Sequence, residues 1–163
     1  MRHPHAKSLN AEESTKIYNA IKRILTKEQL DYIPVIFKAG VWKTCYEFKR
    51  KIKDNNTTIY NESLNFGGKF LTGDSYPKRI YLLKDTNAGY KLVSMSNPNN
   101  AMLATIVAST ILEEIAHVST RKKHLRSDAH GKEFYLEFTR LYKKYFDSLH
   151  FQMIGIYGLD GDY

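Results

Sequence analysis

The sequence predicts a single α+β domain, and three features of its hydrophobic patterning predict it. Apolar residues recur at helical spacing near the N terminus, β-branched and aromatic residues gather in short runs between residues 35 and 95, and helical spacing returns twice beyond residue 100. At 163 residues and 42% hydrophobic content the chain is of a size to form one core, burying about two-thirds of its unfolded surface. No repeat, low-complexity tract or linker divides it. Residues 1–163 are therefore read as one domain with an N-terminal helix, a small mostly antiparallel sheet, a central helix and a C-terminal amphipathic helix.

Taken in order, residues 1–14 are polar and charged, with no apolar stretch to serve as a signal peptide, so an intracellular location is expected. Asn10 and Glu13 have the form of a capping box, which predicts a helix start. Ile17, Ile21, Ile24 and Leu25 then fall on one stripe. Thr26 and Gln29 could cap one further short turn before Pro34 stops it. Strands are expected at Val35-Ile36-Phe37, residues 57–60, residues 80–83 and Leu92-Val93. Residues 42–52 fit both periods: Trp42, Tyr46 and Phe48 alternate, whereas Trp42, Cys45, Tyr46 and Lys49 match a helix. Gly67-Gly68 and Gly73-Asp74 read as turns and lack the form of a phosphate loop, so no nucleotide site is indicated. Trp42 and the many tyrosines are expected in core and sheet.

The central helix is expected over residues 101–118, with Asn99 or Asn100 as N-cap. Leu103, Ile106, Val107 and Thr110 share a face with Glu113, Glu114 and His117, while Ala104, Ala108, Leu112, Ile115 and Ala116 take the other side. A helix with so little solvated face must give its two carboxylates and its imidazole partners, and a shared cation is one solution. After a basic loop, Ser127 or Asp128 is placed to cap a last helix with the stripe Phe134, Phe138, Leu141, Tyr142, Tyr145 and Leu149. Residues 155–163, with three glycines, read as loop.

Lys and Arg exceed Asp and Glu by 25 to 17, giving a net charge of +8 and a pI near 9.4, which favours polyanionic partners such as nucleic acid. One basic cluster is Lys43, Lys49, Arg50, Lys51 and Lys53; the other is Arg121, Lys122, Lys123 and Arg126. The second is the expected nucleic-acid contact, and the first fits a solvated face equally well. The longest apolar stretch, residues 101–112, is interrupted by polar residues and too short to span a bilayer. Cys45 is the only cysteine, which excludes an internal disulfide and every Cys-rich zinc motif. A transition-metal site must therefore use histidines and carboxylates.

Glu113 and His117 are four apart and project from one face of a helix. His130, opening the next helix, would add a third ligand and leave the fourth tetrahedral position for water, the arrangement of a catalytic zinc. Glu114 would then be free to take a proton from that water. His124 is a rival to Glu113 if the basic loop folds inward, although its basic surroundings favour solvation; His3 and His5 belong to the terminus.

Glu113-Glu114-Ile115-Ala116-His117 followed by His130-Gly131-Lys132-Glu133-Phe134 resembles the HExxH and HGxxF elements of the SprT-like zinc metallopeptidases, with Glu in place of the first His. The resemblance implies a zincin-like fold over most of the chain, zinc held by Glu113, His117 and His130, and Glu114 as catalytic base. It also implies protein substrates, among them proteins bound to DNA. The carboxylate at Glu113 departs from the family pattern; its extra negative charge makes the metal a weaker Lewis acid, so reduced or altered activity is expected. Its oxygen donor also admits manganese or iron.

Two other functions compete with the peptidase. One is a catalytically weakened or inactive SprT-like fold that binds nucleic acid or protein through Arg121, Lys122, Lys123 and Arg126, for which Glu114→Gln would be silent. The other is a structural protein in which the Glu/His cluster only stabilises the fold, His117 pairing with Glu113 or Glu114 and His130 bonding nearby backbone.

Overall fold

The computed structural model describes residues 7–52, 55–73, 79–86, 89–96, 103–124 and 130–158. Helix α1 (Ala11–Lys27) opens on the expected capping box: Asn10 Oδ1 accepts from the Glu13 N–H at 2.8 Å, and Glu13 Oε1 accepts from the Asn10 N–H at 3.2 Å. Ile17, Ile21, Ile24 and Leu25 are buried as their spacing requires. One short turn follows Gln29 before Pro34, closed by the Ile33 N–H donating to the Leu30 carbonyl at 3.1 Å. Gln29 itself adopts φ 59° and closes α1, letting the Leu30 N–H reach the Leu25 carbonyl at 2.7 Å.

Strands β1 (Val35–Lys38), β2 (Cys45–Ile52) and β3 (Thr58–Gly67) form a sheet in the order β1-β3-β2. β2 pairs antiparallel with β3 from Cys45↔Asn65 to Ile52↔Thr58, which decides the segment whose periodicity was ambiguous. β1 pairs parallel with β3, Val35 opposite Leu64, so this sheet is mixed. Gly67-Gly68 is more than a turn, because it leads from β3 into α2 (Gly68–Thr72). A Cβ on Gly67 would meet the Val41 carbonyl oxygen at 2.5 Å and the Trp42 carbonyl carbon at 2.6 Å, so only glycine fits. β4 (Arg79–Thr86) and β5 (Gly89–Ser96) form a separate antiparallel pair.

Helix α3 (Leu103–Lys123) runs through the core, with Ile111, Leu112, Ile115, Ala116 and Val118 fully buried. It continues past residue 118, so Arg121, Lys122 and Lys123 stand on its last turn and not in a loop. The expected caps Asn99 and Asn100 lie outside the described residues, as do Ser127 and Asp128. α4 (Lys132–Tyr157) packs along α3 and starts from Gly131. It also runs past the expected start of the terminal loop. Ile156 is buried and the Tyr157 hydroxyl donates to the Leu71 carbonyl at 2.6 Å, and these anchors offset the cost of Gly155, about 1 kcal/mol in a helix interior. Glu28, just beyond α1, ties the helices together by accepting from Arg140 Nη2 at 2.6 Å, the Tyr145 hydroxyl at 2.6 Å and Lys144 Nζ at 3.1 Å. Among the described residues, no helix is long and apolar enough to cross a membrane.

Candidate metal centre

Helix α3 presents Glu113 and His117 one turn apart, and the chain entering α4 sets His130 against them. His130 Nε2 lies 3.2 Å from His117 Nε2 and 3.6 Å from Glu113 Oε1. One donor atom from each of the three residues lies within 4.8 Å of the others. A tetrahedral zinc with bonds of about 2.0–2.1 Å holds its donors about 3.3 Å apart. The two measured separations bracket that edge, and the group can hold a metal ion.

Phe134 fixes the planes of both imidazoles. Its fully buried ring stacks on His117, with centroids 4.4 Å apart and planes 19° apart, and lies 4.8 Å from the His130 ring. The His117 and His130 rings are themselves stacked at 5.0 Å. Phe138, one turn along α4, packs edge-on behind Phe134 at 5.5 Å. The aromatic run of α4 thus serves the core with one face and orients the ligands at its N-terminal end. Such supporting contacts determine ligand geometry as much as the ligands themselves.

The electrostatics favour a cation. Burial pushes the Glu113 carboxyl up to about 7. Burial and the neighbouring Glu113 push Glu114 up to about 8, against the opposing effect of its bond to the Tyr46 N–H. His117 is driven down to about 4, first by burial and then by His130, and burial lowers His130 as well. A neutral imidazole can offer a ring-nitrogen lone pair to a metal, and among the described residues the two buried acids have no Lys or Arg partner.

Glu114 stands beside the three-donor group. It is only 7% exposed, and its Oε2 accepts from the Tyr46 N–H at the start of β2 at 2.6 Å. Among the described residues Oε1 has no donor, so it is the oxygen available to accept a proton. Tyr46 also donates its hydroxyl to Glu62 Oε2 at 2.6 Å.

The basic residues expected to contact nucleic acid have separate roles. Lys123 pairs with Glu137, Lys122 Nζ donates to the Gln29 carbonyl at 3.3 Å, and the Arg121 guanidinium lies 3.8 Å from the centre of the Phe48 ring. Arg126 lies outside the described residues, as do Lys53, His3 and His5. His124 is exposed and outside the three-donor group. Lys43, Lys49 and Arg50 are exposed, and nothing is described of the Lys51 side chain. Sequence reasoning missed Tyr46 as the partner of Glu114 and Phe134 as the ring behind both histidines. The four-residue spacing from His130 to Phe134 was a signal for the second; the first had none.

Comparison of the chain with protein-family models, curated proteins and solved structures returns no match.

Proposed function

We propose that the protein is a metal-dependent peptidase of SprT-like type that acts inside the cell, with zinc held by Glu113, His117 and His130 and with Glu114 as the base. The observation that carries this reading is the convergence of one carboxylate and two imidazoles whose donor atoms lie within 4.8 Å of one another, with a second buried carboxyl next to Glu113 on the helix. Bound zinc supplies Lewis acidity and makes water a nucleophile near neutral pH. Glu114 does the proton work: Tyr46 holds Oε2, and Oε1 takes a proton from the attacking water and passes it to the leaving amine. Manganese or iron would also suit the oxygen donor of Glu113. The net charge of +8 supports protein substrates associated with DNA.

The test is cleavage of an unstructured polypeptide, with and without DNA, by zinc-loaded wild type and Glu114→Gln. The variant is expected to keep its zinc and to lose about a hundredfold or more in turnover. Equal rates in the two proteins would remove Glu114 from the chemistry.

The Glu at position 113 favours a second reading, a catalytically weakened or inactive fold that binds nucleic acid or protein through its basic surface. On that reading Glu114→Gln is silent, and neutralising Arg121, Lys122, Lys123 and Arg126 abolishes binding and flattens its salt dependence.

A further inference from the structure

Arg121 follows Glu114 by seven residues on α3, two helical turns, so the two side chains leave the helix in nearly the same direction. Their contacts agree, because Glu114 meets the Tyr46 N–H and Arg121 covers Phe48, two residues further along β2. Phe48 in turn stacks on Tyr60, with centroids 5.0 Å and planes 24° apart. This layer holds the guanidinium plane in place.

Among the described residues the charge has no matching anion. Arg121 Nε is buried without a hydrogen-bond partner. No carboxylate among the described residues pairs with the guanidinium, and Glu62 is engaged by the Tyr46 hydroxyl. Lys123, two residues on, has Glu137. A buried guanidinium N–H without an acceptor is costly, and the planar fork that carries it matches a carboxylate. Tyr60, stacked on Phe48, is 46% exposed, and Ile52 at the end of β2 is 63% exposed.

We propose that Arg121 is a specificity-determining residue that binds a carboxylate of the peptide substrate. The inference rests on the peptidase reading for the word substrate, though not for the binding itself. Seven residues of helix rise about 10.5 Å, which an extended chain covers in about three residues. The carboxylate therefore lies about three residues from the bond at Glu114, supplied by an acidic side chain or by the C terminus.

The experiment uses fluorescent heptapeptides that differ only in Asp against Asn three residues from the central bond, or in a C-terminal acid against an amide. Binding is measured by anisotropy on the metal-free full chain, and cleavage and zinc content are measured separately on the loaded protein. Wild type is expected to bind a carboxylate peptide roughly tenfold or more tighter than its neutral twin. Arg121→Gln erases that preference and Arg121→Lys restores part of it. Which peptide pair responds assigns the side chain or the C terminus. No preference in wild type, or a preference that survives in Arg121→Gln, overturns the proposal. If Arg121→Gln fails to fold, an undiminished preference in Arg121→Lys overturns it equally. Tight binding of a single-stranded oligonucleotide that needs Arg121, without a carboxylate preference, overturns it in favour of phosphate. A carboxylate preference without zinc or cleavage sinks the peptidase reading alone, and cleavage without the preference sinks this proposal alone.

Discussion

Protons should compete with metal for the Glu113, His117 and His130 group over a pH range where an ordinary glutamate would not. Burial raises Glu113 from 4.5 to about 7, so below about pH 7 a proton must leave before this carboxylate can ligate. Each pH unit then costs about tenfold in apparent affinity, or about 100-fold between pH 7 and 5, equivalent to about 2.7 kcal/mol. His117, lowered to about 4, adds nothing above pH 5, and His130 is also lowered. The expected slope is therefore close to one proton. The sign for stability runs the other way. A carboxyl raised in the fold stabilises the metal-free protein below 4.5 and ceases to do so as pH rises through about 7, a loss that bound zinc should cancel. The assay is zinc competition with a chromophoric chelator at half-unit steps from pH 5 to 8. Repeating it in Glu114→Gln removes the second raised carboxyl, at about 8. A flat affinity from pH 5 to 7 would mean that Glu113 is not a buried ligand. A loss of two or three protons near pH 6.5 would mean that the imidazoles are solvated.

Three further outcomes follow from the packing. Phe134→Ala should cost about 3–5 kcal/mol in urea unfolding, because the ring is fully buried; Phe134→Leu should keep the fold yet weaken zinc binding about 10- to 100-fold by freeing both imidazole planes. The Glu28 carboxyl is lowered from 4.5 to about 2 despite its burial, by bonds from Arg140, Tyr145 and Lys144. With Arg140 38% and Lys144 54% exposed, solvent screening reduces its contribution to about 2 kcal/mol. Glu28→Gln should show that deficit at pH 7 and lose it as the wild type falls from pH 4.5 toward 2; a deficit independent of pH would rule out the charge as its source. Gly67→Ala should destabilise by about 3 kcal/mol or more, since its Cβ would overlap backbone atoms of Val41 and Trp42; an unchanged melting temperature would contradict that close approach.

What was legible in the sequence was local. The Ile17, Ile21, Ile24 and Leu25 stripe and the Asn10–Glu13 cap depend on neighbours within one or two turns, and both formed. Glu113 and His117 were readable because four residues is one helical turn, and His130 because it lies just ahead of the next helix. What failed to show was set by contacts distant in sequence. Residues 45–52 became a strand through pairing with residues 58–65, a choice that their own periodicity leaves open. The parallel placement of β1 beside β3 has no local signature. α4 outlasted Gly155 because Tyr157 is anchored on Leu71, 86 residues away. The hold of Tyr46 on Glu114 spans 68 residues. A basic run at residues 121–123 likewise says nothing of which charge is paired, and only the fold distinguishes Arg121 from Lys122 and Lys123.

The most direct test is the metal content of untagged wild type, His117→Ala and His130→Ala by mass spectrometry. The geometry predicts close to one equivalent of zinc in the wild type and its loss from both variants, with the fold retained. Wild type that carries no metal and fails to take up zinc, manganese or iron on titration would contradict it.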